Sequence, residues 1–457
     1  MTQPSASLGN WVLAWAVIAA VIVLLRMRAY PAGTGLVAAY VANFAMNHWV
    51  GAAIYLIPDY SRQDPNVVAL GFQQATVGLA AFGVGSALLA PRLVGLLPRA
   101  PRHAELAPPG AQPAVRIICY ALLSFLVFLP LARKVPTLTS LFGEGLSLLV
   151  LGLGLACWNA WQTRRTRAFA FWLLATLALP LVTIVTQGFL GYGSVAALAI
   201  LTFVATFVRP RWVTALTAIA MCYLGLSLFV TYMRDRPELR AAQATQSVPD
   251  RIDRTYQTVT QTLTTFEFFD LSNQQHLDRV DDRLNQNLLV GRSITYLDQG
   301  LTPFAQFETV WNALLAFIPR AIWPTKPLAA GSPQLVSRFT GLTFAPGTSV
   351  GIGNVMEFYI SFGTIGVVAG FLLLGILIAL IDTGAGMRLR AGNWRGFLLW
   401  YLPALTFQQM NGSLVEITST AGAALVVAFV LTRVMRLPRP RLASRPRPAS
   451  RPASSAA

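Results

Sequence analysis

The feature that most constrains this chain is the recurrence of apolar runs long enough to cross a bilayer. About twenty apolar residues rise ~30 Å as a helix, the thickness of a hydrocarbon core, and a backbone exposed to lipid must satisfy its own hydrogen bonds. Eleven such runs are read, at about 10–25, 34–57, 67–90, 115–131, 141–161, 168–187, 192–208, 212–232, 355–381, 397–411 and 414–431. The predicted fold is an all-α polytopic membrane protein. Composition agrees: of 457 residues 55% are hydrophobic and only 12% charged, and the mean hydropathy is +0.56.

The net charge of +17 raises a nucleic-acid reading, which its distribution rejects. More than half of the 35 basic residues fall in short connections on one side of the spans and in the tail. Those connections are Arg26–Arg28, Arg92–Arg116, Arg164–Arg167, Arg209–Arg211 and Arg388–Arg395, with the tail from Arg433 to Arg451. This is the positive-inside pattern, which orients a chain and builds no polyanion groove. It predicts a bacterial inner-membrane protein with its N-terminus periplasmic and its C-terminus cytoplasmic. Cys119, Cys157 and Cys222 lie far apart in apolar runs, without metal-ligand spacing, and read as packing residues.

Four regions follow. Residues 1–232 form an N-terminal bundle of eight spans, 233–354 a periplasmic insertion, 355–431 a bundle of three spans, and 432–457 a disordered basic tail. The insertion carries eleven acidic and eleven basic residues, a mixed surface. Ile252, Tyr256, Val259, Leu263 and Phe266 outline one amphipathic helix; Leu277, Val280, Leu284 and Leu288 outline a second, with an N-cap at Ser272 between them. Two helices cannot bury a large core, so the insertion reads as a lid over the spans. Further on, Phe304, Phe307, Trp311, Leu314, Leu315 and Ile318 are spaced as a surface helix too short to span. Pro319, Pro324 and Pro327 then stiffen a strap carrying Arg320, Trp323 and Lys326 to headgroup level.

No GxSxG, Walker A, HExxH or paired Cys or His motif occurs, and no metal or cofactor is expected. His48, beside Asn43 and Asn47, reads either as a cavity residue or as a hydrogen-bonded interhelical histidine, the commoner case. The adjacent pair Arg133 and Lys134 fits snorkelling charges as well as it fits function. Candidate phosphate-binding cations are Arg320, Lys326, Arg283, Arg292 and Arg338; Arg279 and Arg283 fit a salt-bridged helix face equally well. Carboxylates inside spans cost a few kcal/mol unless paired or wetted. Glu357, Glu416 and Glu144 are assigned to the outer half of the membrane, with Gln408, Gln409 and Asn411 nearby, while Asp382 reads as an ordinary boundary residue.

The runs LDRVDDRLNQNLLVGRSITYL, IPRAIWPTKP and GNVMEFYISFGTIGVVAGFLLLG, within 277–375, resemble the Wzy-type oligosaccharide repeat-unit polymerases of O-antigen and exopolysaccharide synthesis. Arg320 followed eleven positions later by Gly331 matches that family as well. The resemblance implies a GT-C-like membrane glycosyltransferase that uses no metal. Such an enzyme moves a glycan from undecaprenyl diphosphate to a sugar hydroxyl of another lipid-linked repeat unit. It implies membrane lipids, a flippase and a chain-length regulator as partners. On that basis Glu357, then Glu416, is the expected base; Arg320, Lys326, Arg283, Arg292 and Arg338 would hold the diphosphate; Trp323, Tyr359, Gln408 and Gln409 would contact substrate. An O-antigen ligase and a transporter or flippase of lipid-linked glycans are the rivals. A carrier would show internal duplication and interrupted helices.

Overall fold

The computed structural model describes residues 4–29, 33–97, 112–132, 141–180, 183, 190–208, 211–244, 257, 260, 264–318, 323, 332–345, 348 and 350–435. Among these the chain is all-helical, with no strand. Five helices are long and apolar enough to cross a membrane: Ser7–Arg28, Pro65–Leu96, Leu141–Gln162, Asn354–Arg390 and Leu414–Val434. They coincide with five of the predicted spans. Shorter apolar helical stretches include Thr166–Leu177, Gly191–Ala205 and Ile219–Arg234.

Helix α1 (Pro4–Arg28) leads to α2, a rod over 36–56 that winds as a π turn at Ala45–Trp49. Then come α3 (Pro65–Leu96), α4 (112–132), α5 (Gly145–Gln162), α6 (Thr166–Leu177), α7 (Leu190–Ala205) and α8 (Arg211–Ala244). The insertion supplies α9 (Gln274–Leu284), α10 (Asn287–Asp298), α11 (Glu308–Ala316) and α12 (Ser332–Thr340). The chain closes with α13 (Asn354–Arg390), α14 (Trp394–Thr406) and α15 (Leu414–Val434). The span expected at 397–411 is thus the 13-residue α14, a rise of ~20 Å, which on its own falls short of a hydrocarbon core.

The core gathers where α2, α3 and α13 meet, around the fully buried rings of Tyr40, Phe44, Phe72, Phe82 and Phe371. Tyr40 stacks on Phe82 at 4.6 Å and Phe44 lies 5.4 Å from Phe371. Outward faces stay apolar: Leu13, Val17 and Leu24 on α1, Ile365 and Leu373 on α13, and Phe429 and Val430 on α15 are all exposed. A water-soluble protein would not leave such stripes uncovered; lipid is the solvent that suits them.

The described part of the insertion packs directly against the bundle. Helix α10 sinks into it, so close to α3 that the Cα of Gly71 lies against the carbonyl of Asn287 and that of Gly291 against the carbonyl of Val67. No side chain fits at either position, and backbone contact this tight is the usual way apolar helices gain packing in lipid. The second predicted insertion helix is in fact two, broken at Asn285–Gln286, because Gln286 turns its amide N–H to the carbonyl of Asn47, 2.9 Å away. The N-cap is Asn273, whose Oδ1 accepts from the amides of Gln275 and His276; Ser272 instead donates to Asp270. The helix expected over Ile252–Phe266 lies almost wholly outside the described residues, as do the pair Arg133 and Lys134 and the tail.

Candidate functional site

Glu357 lies at the start of the ninth predicted span, and shortly after it the helix is interrupted. At Phe362 (φ −145, ψ 27) and Gly363 (φ 61, ψ −149) the helix breaks. In a straight helix residues 358 and 370 would stand ~18 Å apart. Here the Phe358 ring lies 2.6 Å from where a Cβ on Gly370 would sit, and its centroid is 5.4 Å from that of Phe371. So the short piece 354–361 folds back alongside the long piece 364–390, which at roughly 40 Å still suffices to cross a bilayer.

Breaking a helix frees carbonyls, and in an apolar setting these must find donors. The carbonyls of Ile360 and Ser361 accept from the amides of Ala305 (2.8 Å) and Gln306 (3.1 Å), just ahead of α11. Ser361 Oγ then donates to the carbonyl of Glu357 at 2.8 Å and lies 3.1 Å from Thr309 Oγ1. The start of α11 is therefore stapled to the segment that carries Glu357. One face of α11 (Thr309, Ala313, Ala316) is buried, and Thr418 of α15 donates to the Ala313 carbonyl at 2.7 Å. The other face leaves Phe307, Trp311 and Leu314 exposed.

Glu357 is fully buried. Its Oε2 accepts from the Leu414 amide at 2.6 Å, while Oε1 has no partner. One turn earlier, Asn354 donates from Nδ2 to the Tyr40 hydroxyl at 3.1 Å and its Oδ1 is likewise unpartnered. These two residues close a polar seam down one face of α2, where Leu36, Tyr40, Asn43 and Asn47 recur at intervals of about one turn. The Leu36 carbonyl accepts from Gln408 Nε2 (3.3 Å), Asn47 Nδ2 donates to the Asn43 carbonyl (2.8 Å), and Asn43 itself is buried with neither amide atom bonded. Gln286 Oε1 is unpartnered too, 3.5 Å from where a Cβ on Gly353 would sit. His48 ends the seam as the interhelical histidine: Nδ1 lies 2.8 Å from Asn287 Oδ1, and Asn287 Nδ2 donates to the His48 carbonyl at 2.7 Å.

The other expected site residues divide. Glu416 is exposed and serves as the reciprocal partner in the capping box of Ser413, with Ser332 Oγ donating to its Oε1. Both oxygens are thus engaged, and the residue holds the start of α15. Arg338 pairs with Glu308 at 2.9 Å on the surface. Arg283 is exposed, Arg292 half-buried, and Arg279 donates to the Val230 carbonyl. Tyr359 is buried, Gln409 and Trp323 are half-buried, and Gln408 belongs to the seam. Arg320, Lys326 and Gly331 lie outside the described residues.

At the opposite end of α13, Asp382 is no boundary residue. It is buried, accepts from the Thr34 amide (2.6 Å), the Thr34 hydroxyl (2.8 Å) and the Leu36 amide (3.1 Å), and pairs with buried Arg26 at 3.2 Å. It both caps α2 and ties α1 to α13, a role the N-cap function of carboxylates explains. Glu144 precedes α5, buried, with Oε2 unpartnered. Outside the spans, Asp281 accepts from Tyr55 (2.9 Å) and Asn285 (2.6 Å); burial pushes its carboxyl above the ordinary range against those hydrogen bonds.

The chain matches no protein-family model, no curated protein and no solved structure.

Proposed function

We propose that this chain is a membrane glycosyltransferase of the repeat-unit polymerase type, working at the outer face of the inner membrane on glycans carried by undecaprenyl diphosphate. The observation that supports it is Glu357: a buried carboxylate on a folded-back helix, one oxygen held by the Leu414 amide and the other free. An intramembrane carboxylate of this kind is a functional group by default, because burial without purpose is costly. In the proposed reaction the acceptor hydroxyl gives its proton to Glu357 Oε1 as its oxygen bonds to the anomeric carbon. The bond from that carbon to the diphosphate oxygen breaks, and the departing diphosphate keeps the electron pair. Arg320 and Lys326, which follow α11 in the sequence, would neutralise that charge; no metal is called on.

Two variants test this. Glu357→Gln keeps the shape and removes the base, and general-base loss costs about 100- to 10,000-fold in rate. Cells carrying Glu357→Gln or Arg320→Ala should accumulate single lipid-linked repeat units while the protein remains in the membrane at normal level. Long polymer made by both variants would remove the site assignment. A ligase would need a second, different acceptor, so purified protein given lipid-linked repeat units alone separates the two. A carrier of lipid-linked glycans is favoured by one observation, the break at Phe362–Gly363, since interrupted helices build binding sites in transporters. Movement of a labelled lipid-linked glycan across proteoliposomes without polymer would establish that reading instead.

A further inference from the structure

The turn between α5 and α6 borders a cavity that the glycosyl-transfer reading does not use. Arg164 is left-handed there (φ 54). Its amide donates to the Trp161 carbonyl at 3.0 Å, and the Arg165 amide donates to the Ala160 carbonyl at 2.9 Å. These bonds close α5 and fix Arg165 as the residue that leads into α6, whose first amides receive no side-chain cap. Beside the turn lies a cavity of about 40 Å³, lined among others by Asn159 of α5, Arg165, Ala168 and Trp172 at the start of α6, and Val115 of α4. Asn159 is only 9% exposed, and its Oδ1 has no hydrogen-bond partner. Val115 is exposed, so the cavity adjoins the outer surface of the bundle.

An occupant has to answer two kinds of group at once. Helices α4, α5 and α6 contain no acidic residue, whereas Arg116, Arg164, Arg165 and Arg167 all belong to the ends that meet here. Guanidinium groups and an uncapped helix start both favour an anion with several oxygens, such as a phosphate. The buried Asn159 oxygen asks instead for an N–H or O–H donor, which a bare phosphodiester lacks. The same side-chain amide also carries a donor, so the complementary occupant bears both a donor and an acceptor. A cavity of this size takes roughly three water-sized groups, which matches an ethanolammonium arm. The turn stands at the end of the span Leu141–Gln162, at the depth of lipid heads, and Phe171 and Leu174 of α6 leave apolar surface exposed for acyl chains. We propose that the junction of α4, α5 and α6 binds a phospholipid with a primary-ammonium head, its phosphate at Arg165 and the first turn of α6, its ammonium donating to Asn159 Oδ1. By the proposed orientation this lipid belongs to the cytoplasmic leaflet. The site shares no residue with the Glu357 site and stands whether or not the chain transfers glycans.

The test uses the full-length protein in detergent micelles, titrated with synthetic lipids of identical chains and read by native mass spectrometry. The lipids are phosphatidylethanolamine, phosphatidylcholine, whose trimethylated nitrogen cannot donate, and phosphatidylglycerol. The wild type should retain one phosphatidylethanolamine about tenfold more tightly than either of the others, the factor that a hydrogen bond to a charged group supplies. Asn159→Leu, which keeps the size and removes the acceptor, should make the ethanolamine and choline lipids nearly equal. Arg165→Gln, at an exposed side chain, should weaken both severalfold and leave their ratio unchanged. That variant keeps the idea testable if Asn159→Leu fails to fold. Equal binding of ethanolamine and choline lipids by the wild type would overturn the proposal, since the cavity would then hold only water. So would phosphatidylglycerol bound as tightly as phosphatidylethanolamine, because charge alone would then be read, or an unchanged preference in Asn159→Leu. These readouts do not involve polymer formation, so the lipid site can fail while the enzyme reading survives, and the reverse.

Discussion

At the scale of single residues, two deeply buried carboxylates, Asp382 and Glu357, do different work. Asp382 is surrounded by donors, so its role is to hold α1, α2 and α13 together. Asp382→Asn should cost about 3–5 kcal/mol, because it strands the buried Arg26 charge. The double variant with Arg26→Met should recover part of that, and thermal unfolding of the purified protein measures both. Glu357 has the reverse environment, with one donor and a free oxygen, so Glu357→Gln should affect function far more than stability. On the surface, Glu267 contacts Arg234 and His276. Burial pushes its carboxyl up, but the hydrogen bonds and charges of those two partners outweigh it and hold it below the usual range. A carboxyl lowered in the folded state stabilises above its unfolded value, near 4.3, and loses that contribution as pH falls through the folded one. Stability should therefore slope downward in acid below about pH 4, and Glu267→Gln should flatten the slope. The group is two-fifths exposed, so the change is small.

At the scale of elements, the fold-back and the docked insertion are the two constructions on which the site depends. Gly363 at φ 61, ψ −149 occupies a region that in practice only glycine enters. Gly363→Ala should cost about 1–3 kcal/mol or force the piece 354–361 to move. Loss of function with a lowered unfolding midpoint is the expected result, and a variant of normal midpoint and activity would show that the turn is not needed. Gly71→Ala and Gly291→Ala push a methyl group into the backbone of the opposing helix, where no side chain can rotate away. Each should lower stability by about 1–3 kcal/mol, measured in the same way, as overpacking does elsewhere. Neither construction was readable beforehand. Apart from Glu357, Ser361 and Thr364 the run 355–381 is apolar, and periodicity does not distinguish a straight helix from one that doubles back at a Phe-Gly pair.

At the scale of the whole molecule, exposed apolar stripes on α1, α13 and α15 define what faces lipid. With Cys119, Cys157 and Cys222 replaced by Ser, single cysteines at Leu13, Ile365 and Leu373 should resist a water-soluble maleimide and react with a lipid-soluble one. In intact cells Ser272→Cys should react with an impermeant maleimide and Arg390→Cys should not; the opposite result would reverse the proposed orientation.

What the sequence determined alone was the solvent and the class of fold, since long apolar runs in lipid have no stable state but helices. It also marked Glu357, because a carboxylate in such a run is exceptional whatever its neighbours. It separated the short helix near Trp311 from the spans by length. Only the tertiary structure decided which carboxylate is structural and which has an oxygen to spare: Glu416 proved to be a cap, Asp382 an anchor, and Arg338 the partner of Glu308. Those distinctions rest on contacts between residues tens or hundreds of positions apart, such as Tyr40 with Asn354 and Asn47 with Gln286. No local pattern encodes such contacts, because each side chain's partner is set by how the helices pack and not by its own neighbours in the chain.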